Sequence, residues 1–184
     1  RRHNLEKDTL FVFTSDNGPW LNYGDHAGSA APLREGKGTM FDGGCKEPTL
    51  AWWPGTIPAG KVNSEIATTI DLFPSLAKLA GTGIPVDRTI DGKNVLDLLL
   101  GKPGTKSPHK SLYYEVDGIR RDNWKLVMGK RRKPELYNLI ADIGEKNDLA
   151  DRHPDIVDEL KSMLDAHAAA WGSSHVVVRA RARA

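Results

Sequence analysis

The sequence predicts an α/β fold, in which the later part of a large mixed sheet with flanking helices is followed by a small antiparallel sheet packed on one helix. Three observations lead to this prediction. Two short apolar runs, residues 9–15 and 49–53, each end in a turn. Three further strand-like segments are separated only by short turns. An amphipathic helical pattern then covers residues 154–171.

The two apolar runs predict strands that are buried on both faces. The first run ends at the turn sequence Asp16-Asn17-Gly18-Pro19, and the second ends at Pro54-Gly55. A continuous apolar run without alternation is typical of a strand in a parallel or mixed sheet. Between the two runs, residues 18–48 are rich in glycine and show no periodicity. A structureless segment of this length inside a compact domain is usually functional, so we expect a functional loop here.

Two helices are predicted after the second run. Asp71 is expected to cap a helix over residues 72–80, and Gly81 is expected to end it. A shorter helical segment, residues 94–100, ends at Gly101. The apolar positions of the first helix are expected to form a stripe that faces the core: Leu72, Phe73, Leu76, Ala77, Leu79 and Ala80.

The polar, Pro- and Gly-rich segment 102–108 is the predicted boundary between two parts, residues 1–104 and residues 105–171. In the second part, strands are predicted over residues 111–116, 124–128 and 135–138, forming an antiparallel meander. Residues 172–184 are expected to be a disordered basic tail. The helix over 154–171 places six side chains on one face: Ile156, Leu160, Met163, Leu164, His167 and Trp171.

Composition limits the possible classes of protein. Of 184 residues, 39% are hydrophobic and 27% are charged, which is enough apolar material for a folded core. No run approaches the roughly 20 apolar residues of a membrane span. The net charge of +2 becomes −1 without the last thirteen residues, which hold three arginines and no acid, so a nucleic-acid partner is not expected. A single cysteine excludes an internal disulfide and a multi-cysteine zinc site.

Asp16 and Asn17 are the first candidate site residues. They follow a predicted strand of an α/β sheet, and ligands bind beyond the carboxyl ends of such strands. A carboxylate beside a carboxamide offers the hard oxygen donors that Ca²⁺ and Mg²⁺ prefer. The same residues also make an ordinary turn, and two donors are too few for a complete metal site.

Lys37 is the second candidate. It lies between Gly36 and Gly38, where the backbone permits close approach and the ammonium is free to meet an anion. The segment is not a phosphate-binding P-loop, because Gly38 separates Lys37 from Thr39. A solvated loop lysine is the alternative interpretation.

A set of motifs in fixed order connects these residues. The set is Thr-Ser-Asp-Asn-Gly, Pro-Leu-Arg-Glu-Gly-Lys-Gly-Thr, Gly-Gly-Cys-Lys-Glu-Pro, Trp-Trp-Pro-Gly, Asp-Leu-Phe-Pro-Ser-Leu, Trp-Lys-Leu and Glu-Leu-Tyr-Asn-Leu. In this order and spacing, it resembles the C-terminal half of the sulfatases, the arylsulfatase-type members of the alkaline phosphatase superfamily. The resemblance covers residues 9 to about 165, which is nearly the whole chain apart from the tail.

The resemblance implies a sulfuric ester hydrolase that cleaves a sulfate ester to an alcohol and sulfate. It implies that Asp16 and Asn17 ligate Ca²⁺, rather than Mg²⁺, and that Lys37 contacts a sulfate oxygen. The substrate would be a sulfated small molecule or glycan. Sulfatases commonly act in the periplasm, outside the cell or in lysosomes, so one of these compartments is expected. Residues 1–104 would then be the C-terminal part of the catalytic domain.

The nucleophile of the family is a formylglycine made from the cysteine of Cys-x-Pro-Ser-Arg. Cys45 is followed by Lys46-Glu47-Pro48, so it does not match this motif and is expected to be a small packing residue. We therefore expect no catalytic residue in this chain and a formylglycine upstream of it. The chain also opens almost directly on a core-type strand, as expected for the C-terminal part of a longer polypeptide. Alone, it is expected to be inactive.

Several other residues have two interpretations. His26 and Asp25 either line a substrate cleft or make local turn contacts, and His167 is expected on the core-facing side of its helix. Arg120, Arg121 and residues 130–133 are expected to form a solvated hairpin rim, with a subsite for a polyanionic glycan as the alternative. Two other functions remain open for the chain as a whole: a phosphoester hydrolase of the same superfamily, and a non-catalytic binding module.

Overall fold

A computed structural model describes residues 2–129 and 132–174, with side chains described as far as residue 170. The chain forms two compact units. The first contains residues 1–17 and 46–110, and the second contains residues 18–45 and everything from Ser111 onward. The predicted boundary at 104/105 lies within the first of these units, and the predicted division into domains stays a prediction.

A two-stranded antiparallel sheet opens the first unit. Strand β1 (Phe11–Phe13) pairs with strand β2 (Leu50–Trp52), so both predicted strands are present but shorter than the apolar runs. In the described residues they form an antiparallel pair, not part of a parallel or larger mixed sheet. They are also not buried on both faces, because one face of the pair is exposed: Phe11, Phe13, Leu50 and Trp52. These side chains are cross-strand neighbours, since Phe11 is opposite Trp52 and Phe13 is opposite Leu50.

The predicted helix after β2 forms as α2 (Leu72–Leu79). Gly81 ends it as expected: its φ is 71°, and the Thr82 amide donates to the Ala77 carbonyl in the pattern of a Schellman C-cap. The prediction for Asp71 is wrong. Its carboxylate does not cap α2 but accepts the amides of Thr68 and Lys93 and contacts the His109 ring, at 2.7 to 2.8 Å.

The predicted apolar stripe of α2 is only partly buried. Ala77 is buried, but Phe73 and Leu76 are exposed, and the buried face includes Pro74 and Ser75 instead. Ser75 lies there because its hydroxyl accepts the Val95 amide at 2.8 Å. The second helix, α3 (Leu96–Leu99), forms where the shorter helical segment was predicted, and Gly101 follows it with a φ of 65°.

The second unit contains a four-stranded antiparallel meander. Its strands are β3 (Ser111–Tyr114), β4 (Gly118–Arg121), β5 (Trp124–Met128) and β6 (Pro134–Asn138), in that order. Strand β4 was not predicted, because two arginines in four residues indicate a solvated rim rather than a strand. Arg120 and Arg121 therefore lie in the sheet. Ile119, which precedes them in β4, is fully buried.

The long C-terminal helix packs on this sheet, as predicted. Helix α4 spans Pro154–Ser174, so it continues three residues into the predicted tail, and residues 175–184 lie outside the described part of the chain. Its buried side chains are Val157, Leu160 and Leu164, which join Ile119, Leu126 and Leu136 in one core cluster. His167 is half-buried and stacks on Tyr113 at 4.0 Å between ring centroids. The side chain of Trp171 is not among those described.

The Gly-rich segment belongs to the second unit. It is mostly turns, as predicted, but it also contains a short 3-10 helix (Leu21–His26) and a one-turn helix, α1 (Asp42–Cys45). Both are too short to show helical periodicity in the sequence. The α/β class, with a small antiparallel sheet and a helix at the C-terminal end, is thus confirmed. Within the described residues, no helix is long and apolar enough to cross a bilayer.

Candidate functional site

The predicted metal ligands lie where β1 ends, in the first unit. Asp16 is exposed and Asn17 is half-buried, in a bend that the Ser15 hydroxyl stabilises by donating to the Asn17 carbonyl at 2.8 Å. Contact between the two strands extends one residue beyond their backbone pairing, because the hydroxyls of Thr14 and Thr49 are 2.9 Å apart. The bend therefore sits on an anchored strand end, with the Asp16 carboxylate open to solvent.

A further carboxylate, Glu47, interacts with Asp16. Burial raises the pKa of Glu47, and the negative charge of Asp16 raises it further. No sequence motif predicted a role for this residue. The antiparallel pairing brings it near Asp16, since Glu47 precedes β2 by the same three positions by which Asp16 follows β1. The negative charge of Asp16 thus acts on Glu47, and both carboxyl groups lie at this strand end.

Asp16 and Asn17 offer hard oxygen donors, which is the chemistry that Ca²⁺ requires. In the described part of the chain, however, no group of three or more His, Cys, Asp or Glu side chains forms a potential metal site. Asp16 and Asn17 thus fit part of a calcium shell, and calcium binding at this position stays a prediction.

Close backbone packing shapes the Gly-rich segment in the second unit. A Cβ atom on Gly18 would lie 1.8 Å from the Gly43 carbonyl oxygen, and one on Gly43 would lie 2.2 Å from the Arg34 carbonyl oxygen. At Gly36, a Cβ would lie 2.4 Å from the Pro19 carbonyl oxygen. These glycines are needed for close approach between backbone segments rather than for flexibility. The segment is therefore a packed scaffold.

Lys37 lies at the surface of this scaffold. Its amide donates to the Pro19 carbonyl at 2.9 Å, and the following Gly38 has a φ of 89°, which favours glycine. The Thr39 hydroxyl donates to the Gly36 carbonyl at 3.0 Å and closes the turn. The Lys37 side chain is exposed, and no salt bridge joins its ammonium to the described residues. The backbone is thus held while the charged group stays available to an anion.

A buried ionic network lies at the C-terminal end of this segment. The Lys125 ammonium is 2.6 Å from the Asp42 carboxylate and 2.9 Å from the Glu145 carboxylate, and all three side chains are almost completely buried. It also lies 4.5 Å from the centre of the Tyr114 ring. Burial raises the pKa of Glu145, and the charge of Lys125 opposes this effect. No sequence motif predicted this network; the one signal was a lysine among the apolar residues of β5.

Arg34 holds the other end of the segment. Its guanidinium donates to the Tyr137 hydroxyl at 2.9 Å and to the Glu145 carbonyl at 2.8 Å. It also stacks on the Phe41 ring, 3.7 Å from the centroid. Burial raises the pKa of the Tyr137 phenol, and its hydrogen bond to Glu135 raises it further, so this hydroxyl is protonated at neutral pH. The segment around Lys37 is thus tied to the sheet at both ends.

The remaining candidates lie in the second unit with Lys37. His26 and Asp25 are exposed, at the end of the Leu21–His26 3-10 helix. Cys45 is half-buried at the end of α1, where its thiol donates to the Thr39 carbonyl at 3.2 Å. Asp16 and Asn17 belong to the first unit. Contact with a metal or a substrate stays a prediction for all of these residues.

Comparison with known proteins extends the motif resemblance. The sequence profile of the sulfatase family matches residues 1–82. Arylsulfatase A of Homo sapiens is 35% identical over 213 aligned positions, which cover 94% of this chain and 41% of that protein. N-acetylgalactosamine-6-sulfatase of Canis lupus familiaris is 43% identical over 116 residues, covering 62% of this chain and 22% of that protein. The chain is thus homologous to the sulfatase family. The predicted resemblance is confirmed.

Solved structures agree with this assignment. The crystal structure of Ps i-CgsB has a TM-score of 0.78 and 30% sequence identity, and the alignment covers 91% of this chain and 38% of that protein. A second structure of Ps i-CgsB, in complex with k-i-k-neocarrahexaose, has a TM-score of 0.77. The chain therefore spans from about a fifth to about two fifths of the length of these relatives.

Proposed function

We propose that this chain forms one side of the active site of an arylsulfatase-type sulfuric ester hydrolase, which converts a sulfate ester and water to an alcohol and sulfate. Homology to the sulfatases supports the reaction class. One observation carries the assignment to this chain: the exposed ammonium of Lys37, which forms no salt bridge with the described residues, lies on a backbone that packing and hydrogen bonds hold in place. A fixed cation of this kind stabilises an anion without reorganisation when the bond to sulfur breaks.

Asp16 and Asn17 are proposed to provide two oxygen ligands to a calcium ion. Two carboxyl groups at this strand end, those of Asp16 and Glu47, support a cation there. Ca²⁺ takes about 6–8 oxygen ligands, so the other ligands must come from residues outside this pair. When bound, the ion would neutralise charge on the sulfate group. The aldehyde hydrate of a formylglycine would supply the nucleophile from a part of the polypeptide that precedes this chain.

The proposed parts of the longer enzyme follow from this arrangement. Residues 1–104 would complete its catalytic α/β domain, and residues 105–171 would form a smaller C-terminal subdomain. Strands β1 and β2 would join a larger mixed sheet, and its flanking helices would cover the apolar face that is exposed in this chain. The proposed substrate is a sulfated glycan or small molecule, in line with the solved complex of Ps i-CgsB with k-i-k-neocarrahexaose.

Replacing Lys37 tests the proposal most directly. In the full-length enzyme, Lys37→Ala should lower kcat by roughly 30- to 1000-fold, the usual effect of removing one charged contact to the transition state. Its melting temperature should not change, because the side chain is exposed and its removal leaves no cavity. Release of sulfate from a chromogenic aryl sulfate is the assay. Lys61→Ala, at another exposed lysine, is the matched control.

Two further measurements separate the proposal from its alternatives. An aryl phosphate assayed in parallel should be the poorer substrate, and a preference for it would identify a phosphoester hydrolase. Calorimetric titration with Ca²⁺ should show weaker binding in Asp16→Ala than in the unmodified enzyme. Normal turnover in Lys37→Ala would refute the assignment of this chain to the active site.

A further inference from the structure

The segment that carries Lys37 is a closed loop. The Gly43 amide donates to the Arg34 carbonyl at 2.9 Å, so the two residues form its base and Lys37 lies between them. One further residue touches both sides of this base. That residue is Glu145, in the turn that follows β6.

On the C-terminal side of the loop, Glu145 acts through its carboxylate. Its Oε2 atom accepts the Asp42 amide at 2.7 Å, and its Oε1 atom is 2.9 Å from the Lys125 ammonium. Lys125 in turn donates to the Asp42 carboxylate at 2.6 Å. Asp42 is thus bound through its backbone and its side chain, and water is excluded from both contacts because all three residues are buried. Charge-assisted hydrogen bonds of this kind are strong and directional.

On the N-terminal side, Glu145 acts through its backbone. Its carbonyl oxygen accepts the Arg34 guanidinium at 2.8 Å. The same guanidinium binds the Tyr137 hydroxyl and covers the Phe41 ring, so the side chain of Arg34 is fixed on three sides. One residue therefore holds both ends of the Lys37 loop.

The backbone of Glu145 has a conformation that glutamate rarely adopts. Its φ is 49°, in the left-handed region that favours glycine and asparagine. The turn is supported from the other side, because the Asp142 carboxylate accepts the amides of Lys146 and Asn147 at 2.7 Å. Such strain persists only where the surroundings impose it, and it concentrates at functional sites. A glycine would relieve the strain but would lose the carboxylate that binds Asp42.

We propose that Glu145 is a positioning residue for Lys37: by binding Arg34 and Asp42 together, it fixes the loop that presents the ammonium to the sulfate group. The role of this positioning in catalysis rests on the proposed function. The contacts of Glu145 with Arg34 and Asp42, which we call the clamp, do not depend on it. Glu145 does not touch the substrate. It affects the reaction indirectly, by fixing the position of Lys37, because it contacts the loop at both ends.

Two conservative variants test the clamp from its two sides. Glu145→Gln keeps the size of the side chain and leaves one buried ammonium facing one carboxylate, so the charge of the network stays balanced. Arg34→Lys keeps the positive charge but loses the planar group that reaches two acceptors. Arg132→Gln is the control, because it breaks an exposed ion pair with Asp117 in the same unit without touching the loop.

Hydrogen exchange of the folded chain measures the clamp without any assay of activity. In both variants, exchange of the Gly43 and Lys37 amides should be about tenfold or more faster, because hydrogen bonds to charged groups are lost at the base of the loop. The Leu160 and Leu164 amides in α4 should change by less than about twofold. Arg132→Gln should leave both sets unchanged. Unchanged exchange in the loop, or an equal increase in the loop and in α4, would overturn the clamp.

Activity of the full-length enzyme measures the link to Lys37. Glu145→Gln should lower kcat/KM by about tenfold or more, and Lys37→Ala/Glu145→Gln should be no slower than Lys37→Ala, because the two residues act in series. Additive losses would show that Glu145 does not act through Lys37 and would overturn the positioning. If Lys37→Ala turns over normally, the proposed function fails, and the exchange experiment still decides whether Glu145 holds the loop.

Discussion

Strands β1 and β5 carry similar apolar sequences, and the structure treats them differently. Leu126 in β5 is fully buried, because β4 and β6 flank the strand and α4 covers it. In β1, Phe11 and Phe13 are exposed, although this run is the more hydrophobic of the two. Strand β1 has one partner strand, and one face of the pair is not covered within the described residues. An apolar run thus predicts a strand, but the elements around it decide whether the strand is buried.

The contrast extends to charged residues. Lys125 is the second residue of β5 and is completely buried, because two carboxylates from distant parts of the chain meet its ammonium. At the end of β1, Asp16 is exposed. Its negative charge adds to the effect of burial, which raises the pKa of another carboxyl group, that of Glu47. The second unit neutralises its buried charges internally. The first leaves negative charge at a strand end, as expected for a surface that binds a cation.

The largest effect is expected from removing the central cation of the second unit. Lys125→Met should lower the free energy of unfolding by about 3–5 kcal/mol, because Asp42 and Glu145 would remain as buried carboxylates without a counter-charge. Urea denaturation of the chain, followed by circular dichroism, measures the loss. Lys161→Met breaks an exposed ion pair on α4 and should cost less than about 1 kcal/mol. Similar losses in the two variants would contradict the importance of the buried network.

A matched pair of leucines tests the difference in burial itself. Leu126→Ala should cost about 2–5 kcal/mol, because it leaves a cavity in a closed core. Leu50→Ala should cost less than about 1 kcal/mol in this chain, because its side chain is 64% exposed and is a weak contributor to any core. The same denaturation experiment applies to both. A large loss for Leu50→Ala would show that the exposed face of β1 and β2 is covered in solution, for example by a second copy of the chain.

Two glycines test whether the Gly-rich segment is a packed scaffold. Gly18→Ala places a methyl group 1.8 Å from the Gly43 carbonyl oxygen and should cost about 1–3 kcal/mol, the usual range for overpacking. Gly83→Ala meets nothing within 4 Å and has no left-handed backbone to strain, so it should be neutral or slightly stabilising. Melting temperatures by calorimetry compare the two. Equal behaviour would mean that the segment gives way around Gly18 and is a flexible loop.

The smallest effect is a pH dependence in the first unit. The Ser107 amide lowers the pKa of Glu65, and the nearby Lys106 ammonium lowers it further. A carboxyl group with a lowered pKa in the folded state stabilises the fold above its ordinary pKa, near 4.3, and loses that contribution as the pH falls below it. Glu65→Gln should therefore melt slightly earlier than the unmodified chain at pH 7, and the difference should disappear as the pH falls through the lowered pKa of Glu65 in the folded state. A difference that stays constant with pH would contradict the assignment.

Local sequence signals determined most of the elements. Gly81 and Gly101 end helices α2 and α3 where predicted, since a left-handed residue after a helix is a local requirement. The apolar spacing over 154–171 predicted α4 and two of its three buried positions, Leu160 and Leu164. The ordered motifs predicted the sulfatase family, which the comparisons confirm. Each of these signals depends on residues that lie close together in the chain or on short motifs in order.

The tertiary structure decided which residues meet. Lys125 contacts Asp42 across 83 positions, and Glu145 binds the Asp42 amide across 103 positions, so no local pattern predicts that these charges are buried together. Strand β4 escaped prediction for a similar reason: its two arginines indicate a surface, whereas pairing with β3 and β5 makes it an inner strand. Asp71 looked like a cap for α2, but it binds amides and a histidine from three separate segments. A side chain's local sequence limits what it can bind, and only the fold brings the partner within hydrogen-bonding distance.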